Sequence, residues 1–188
     1  MATESYITIA VIAIIIFFGI ITYNRLVALR QTRKNSFADI DVQLKLRYDI
    51  IPNLVETVKK YASHEKEVFE NVTSARAGAM KANGITEQSR AEATLDASLM
   101  KLMAVSENYP ELKADGVFQD FSNKLSDVEY KIAAARRFFN NSTSEYNTYK
   151  EQFPAVLFAG MLGFKQGEFF ELDEDRRTEL DQAPEVKF

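Results

Sequence analysis

The sequence predicts an all-α protein: one N-terminal transmembrane helix continuing into an elongated antiparallel three- or four-helix bundle. Three observations carry this reading. A run of 18 residues, "YITIAVIAIIIFFGIITY" from Tyr6 to Tyr23, contains no charge. Two long stretches place apolar residues at alternating spacings of three and four, the period of a helix that packs on other helices. Only 7 glycines and 4 prolines interrupt 188 residues, so few positions favour a break.

The uncharged run comes first. At 1.5 Å per residue it reaches roughly 27 Å, close to the thickness of a bilayer's hydrocarbon core. "MATES" precedes it and "NRLVALRQTRK" follows, which is neither the basic leader nor the small-residue cleavage site of an exported signal. We therefore read residues 1–25 as a retained anchor. Arg25, Arg30, Arg33 and Lys34 lie just after the span and no Lys or Arg lies before it. This asymmetry predicts an N-terminus outside and a bundle in the cytoplasm.

The bundle is expected over residues 26–153. Its first seam runs through Leu26, Arg30, Arg33, Phe37, Ile40, Leu44, Arg47, Ile51, Leu54, Val58, Tyr61, Glu65, Val68, Val72 and Ala75. As one helix it would extend on the order of 75 Å. Pro52 lacks a backbone donor, so it predicts a kink, or a fresh start with Asp49 near the N-cap. Gly78 and "KANGITEQ" mark a loop. Thr86 is the expected cap of a third helix, "EQSRAEATLDASLMKLMAVSE", with Leu95, Leu99 and Leu102 on one face. "NYPELKADG" turns the chain into the last long helix, whose seam is Phe118, Phe121, Leu125, Val128, Ile132, Ala135, Phe139, Ser142, Tyr146, Tyr149 and Phe153, bounded by Asp115 and Pro154. Residues 154–188 form an apolar docking segment and an acidic tail. Val156 to Phe164 is too short to span a bilayer, and docking on the bundle is favoured over an interfacial position because the run has no basic polar face.

Charge and composition limit the function classes. Residues 24–81 carry 11 Lys/Arg against 7 Asp/Glu, and residues 82–188 carry 12 against 19. Oppositely charged halves favour pairing within the chain or between copies first, and a basic surface near anionic lipid headgroups second. They do not resemble a nucleic-acid footprint. Zero cysteines remove thiolate nucleophiles, Cys-ligated metal and lipidation at cysteine. His64 is the only histidine. No Gly-x-Ser-x-Gly, second histidine or phosphate-cradling glycine motif accompanies it, so no catalytic, cofactor-binding or metal-binding residue is assigned and no enzymatic activity is expected. Arg30, Arg33, Arg47 and Glu65 sit at seam positions where an unpaired charge would cost several kcal/mol. They must either pair, with Glu107 and Glu129 as candidates, or bend out to water.

Several motifs in order, "YNRLVALR", "DIDVQLKLRYDIIPNLVETVKKYASHE", "TSARAGA", "ENYPELKAD", "AAARRFFNNSTSEYN" and "FPAVLFAGMLGF" followed by Phe169 and Phe170, resemble the bacterial LemA family over residues 23–171. The resemblance implies a helical bundle on one transmembrane helix, without catalytic activity. It also implies kinship with a magnetosome membrane protein, and through it a role in organising or shaping membrane. Many relatives begin with a lipoprotein signal and face the periplasm, whereas this chain has no cysteine to lipidate. The expected function is that of a structural protein that contacts membrane lipids and self-assembles into a large homo-oligomer. The alternative is an adaptor that presents its bundle to a membrane enzyme or signalling partner.

Overall fold

The computed structural model describes residues 2–170; the acidic tail expected from Asp173 onward lies outside them. The described residues contain six helices: α1 (Ala2–Lys59), α2 (Lys66–Ala79), α3 (Ile85–Glu107), α4 (Pro110–Ala114), α5 (Gly116–Glu151) and α6 (Ala155–Ala159). No strand occurs among them. They group into two compact units, residues up to Ile40 with Ala135–Glu168, and Asp41–Ala134 with Phe169 and Phe170. α1 and α5 contribute to both.

In the first unit, α1 begins with the apolar run. Its side chains stand almost entirely exposed from Tyr6 to Ile21, and cover begins at Thr22. A core helix of a water-soluble fold shows the opposite pattern. Past that point Leu26 and Leu29 close into a small core with Tyr146 of α5 and with Ala155, Ala159 and Phe164 from the segment after Pro154. Phe37 and Phe139 pack with their rings 5.5 Å apart.

In the second unit, Leu44, Ile51, Leu54 and Val58 of α1 are buried together with Leu95 and Leu102 of α3 and Ile132 of α5. Burying one such side chain stabilises by about 1.5–3 kcal/mol. α2 packs against α3.

The first seam differs from expectation in two ways. Of the kink and the fresh start weighed at Pro52, the fresh start with Asp49 near the N-cap does not occur, because α1 runs on through the proline. The proline leaves the carbonyl four residues earlier, that of Tyr48, without its helical donor. Arg76 of α2 supplies one instead, its Nε donating to the Tyr48 oxygen at 2.7 Å. The seam also does not run through one helix to Ala75. It divides between α1 and α2, with residues 60–65 as the connection. There the Val58 carbonyl accepts from both Tyr61 and Ala62, each at 3.0 Å, and the Tyr61 hydroxyl donates to Asp115 at 2.8 Å. A six-residue link leaves the three-and-four spacing in phase, so periodicity alone cannot reveal it.

The start of α3 also differs from expectation. Gly84, at φ 82°, is the N-cap, which places Thr86 inside the first turn. Only glycine adopts that φ without strain. Glu87 completes the start by accepting the Asn83 backbone N–H at 3.1 Å. At α5 the expected boundary residue acts as a cap: Asp115 Oδ1 accepts the Phe118 N–H at 2.9 Å.

Candidate functional site

The most unusual chemistry of the second unit is centred on Arg47. Its helical position points into the layer of Leu44, Ile51 and Leu54, and its side chain has no exposure. Three carboxylates from two other helices surround it. Glu92 of α3 pairs with Nη2, while Asp96 of α3 and Glu129 of α5 accept from Nη1 at 2.5 and 2.7 Å. Burial is the largest influence on the guanidinium and opposes its charge. The attraction of Asp96 and Glu129 and their hydrogen bonds outweigh it, and the pKa stands above the ordinary arginine value. Arg47 is therefore a permanent cation that joins α1, α3 and α5.

A second polar layer supports Glu92. The Tyr48 hydroxyl donates to it, and Gln88 Nε2 lies 2.7 Å from Glu92 Oε1 and 3.0 Å from the Tyr48 oxygen. Glu92 and Gln88 are one turn apart on α3, so both face the same point on α1. The centre opens on one side to a groove of about 500 Å3, lined by Asp96 and Glu129 and by Leu99, Met100, Met103 and Glu107 among others.

The first unit has its own polar seam. Arg33 donates through Nε to Thr143 Oγ1 at 3.0 Å and through Nη2 to the Glu168 carbonyl at 2.8 Å. Burial lowers its pKa, against the opposing pull of Glu168 and Tyr146. Asn147 reads the backbone of Gly167 at two points, donating to its carbonyl at 2.9 Å and accepting its N–H at 2.8 Å. The Tyr146 hydroxyl donates to the Lys165 carbonyl at 2.8 Å. This segment lies so close to the helices that a Cβ on Gly167 would stand 2.9 Å from Arg33 Nε and 3.2 Å from Asn147 Oδ1. Glycine is required here by space rather than by dihedral angle.

The four charged seam residues thus separate. Arg47 is buried and paired. Arg33 is half-buried and bonded, while Arg30 is exposed with its guanidinium 5.1 Å from the Phe164 ring centre. Glu65 leaves the helical seam altogether and takes the N-cap position of α2. Of the two acidic candidates, Glu129 joins Arg47, and Glu107 instead lines the groove. His64 is exposed on the α1–α2 connection. Glu92, Asp96 and Gln88 were not singled out by sequence, although their spacing with Leu95 and Leu99 puts them on the buried face of α3.

The profile of the LemA family matches residues 36–188, which takes in both the Arg47 centre and the Asn147–Gly167 seam. The chain belongs to the LemA family. Within that family it is similar to Magnetosome protein MamQ of Magnetospirillum gryphiswaldense, 26% identical over 174 residues that cover 79% of this chain and 64% of that protein. It is also similar to Magnetosome protein MamQ 2 of Paramagnetospirillum magneticum, 25% identical over 191 residues that cover 87% of this chain and 70% of that protein. The alignment to the first MamQ therefore spans just under two thirds of that relative's length. The LemA match begins after the apolar run, whose reading rests on its own length, composition and exposure. With that run exposed at the head of α1, this LemA-family protein is membrane-associated.

Proposed function

We propose that this chain is a non-enzymatic, single-pass structural protein of the inner membrane that self-assembles into a large homo-oligomer and organises or shapes the bilayer. One observation carries the reading: within α1, an exposed apolar stretch of membrane-crossing length continues into buried, packed helix with no break. A protein of this design ties a helical body directly to its lipid anchor, and a lateral array of such bodies would impose its geometry on the membrane. The relatives named as magnetosome proteins support a role in membrane organisation. Apolar side chains outside the anchor support self-association: Val42 and Leu46, one turn apart on α1, and Tyr130 on α5 are exposed. The Arg47 centre is completed within one chain, so these surfaces rather than that ion pair are the proposed contacts between copies. The basic residues after the anchor support a cytoplasmic body.

Light scattering on the full-length protein in mild detergent, together with crosslinking in the native membrane, tests the proposal. A large, narrow mass distribution with self-crosslinks is expected. A monomer at all working concentrations would overturn it. The groove beside Arg47 favours a second reading, an adaptor: methionines and leucines line it and Asp96, Glu107 and Glu129 ring it, which suits a partner's basic, amphipathic helix. One dominant foreign crosslink in place of self-crosslinks would select it.

A further inference from the structure

We infer that the segment 153–164 is a second membrane contact, lying in the headgroup layer beside the anchor with its outward apolar side chains in lipid. The inference rests on residues 6–23 spanning the bilayer, and it adds to the proposed function a surface that positions the first unit on the membrane.

Height along α1 is the first argument. Tyr23 ends the uncharged run, and its ring packs edge-on against Phe164 at 5.9 Å. Leu26 and Leu29, which hold Ala155, Ala159 and Phe164, follow by three and six residues, or about 4.5 and 9 Å along the helix axis. The polar layer of a bilayer is on the order of 5–7 Å thick on each side. The segment is therefore fastened to α1 at the level where the anchor leaves the hydrocarbon.

Composition and exposure are the second argument. Residues 153–164, "FPAVLFAGMLGF", carry no charge. The inward side chains Ala155, Ala159 and Phe164 are buried, while Phe153 and Met161 are each 79% exposed and Val156, Leu157 and Leu162 about half exposed. Five large apolar groups on one short segment are too many for a scattered surface and are disfavoured in water. The cations Lys165 and Arg30 stand beside them, as suits the boundary of an anionic leaflet, while Arg25 pairs with Glu145 at 2.7 Å. Docking and interfacial placement are thus two faces of the same segment.

The protein has no tryptophan, so a single introduced one reports without background. Leu157→Trp and, separately, Leu162→Trp are placed in the full-length chain, reconstituted in phosphatidylcholine–phosphatidylglycerol vesicles whose acyl chains carry bromine at defined depths. Ile15→Trp serves as the reference within the span. The expected result is blue-shifted emission from Leu157→Trp and Leu162→Trp that bromine near the headgroup quenches more strongly than bromine at the chain end, with the reverse order for Ile15→Trp. If Ile15→Trp is quenched and both segment variants are not, the inference is overturned. This holds whether iodide reaches them, meaning water, or does not, meaning a protein partner or second copy. If Ile15→Trp itself escapes quenching, the spanning anchor is wrong and the inference falls with it. Far-UV circular dichroism matched to the parent protein keeps a folding defect from imitating either result.

Discussion

Replacing Arg47 by methionine isolates the energetics of the buried centre. Arg47 and Glu92 are without exposure, whereas Asp96 and Glu129 keep 21% and 38% of their side-chain surface in solvent. Removing the cation allows Asp96 and Glu129 to turn to water but leaves Glu92 in the core beside the Tyr48 hydroxyl and the Gln88 amide. The expected cost is about 3–5 kcal/mol, the range for stripping one member from a buried ion pair. Glu92→Leu leaves Arg47 two carboxylates and should cost less, about 1–3 kcal/mol. The double variant removes both interior charges, and an apolar pair of similar volume there should recover at least ~2 kcal/mol relative to the sum of the single changes. Urea unfolding in a mild non-ionic detergent, followed by far-UV circular dichroism, supplies the four free energies of the cycle. Arg47→Met costing under about 1 kcal/mol, or strict additivity of the two changes, would refute the claim that this cation is held by Glu92 in a dry interior. Exchanging charges between Arg47 and Glu129 should not rescue, because a carboxylate at position 47 would confront Glu92 and Asp96.

Two further outcomes follow from the geometry. Gly167→Ala forces a methyl against Arg33 and Asn147, both already held by hydrogen bonds, and should destabilise by about 1–3 kcal/mol, with Asn147→Ala costing less in that background than in the parent. The Phe118 N–H bond and then the Tyr61 hydroxyl hold the Asp115 carboxyl below its ordinary pKa of about 3.9. A depressed carboxylate stabilises fully above that value and loses its contribution as acid titrates the folded form. The gap in melting temperature between parent and Asp115→Ala should accordingly be constant near neutrality and narrow below about pH 4, as scanning calorimetry across pH would read.

Much of the fold was legible because its signals are local. An uncharged run of bilayer length, Leu95, Leu99 and Leu102 on one face, and the long seam of α5 are each visible within a few turns of chain. The α1–α2 connection was not, since it contains neither glycine nor proline and its length preserves helical phase. The Thr86 cap was misplaced because Gly84, two residues earlier, supplies a φ that sequence reading assigned to the loop. At the candidate site, Arg47 stood out as a charge in an apolar seam and Glu129 as one partner. Glu92 and Asp96 remained hidden because a carboxylate on a charged helix looks like a solvated one until the third dimension places a cation opposite. The same holds for Gly167, whose need for glycine comes from Arg33 and Asn147, both distant in sequence or across a turn of chain.

Pro52 changes how α1 must come into being. A regular helix completes each rung from its own neighbours and can form before anything else touches it. Here the rung at Tyr48 is finished by Arg76, 28 positions onward, so the last part of α1 and the return of α2 close a single bond together. A local bond has become a long-range one, and the weakness that the proline introduces into α1 is offset by a donor that only the packed α2 can supply.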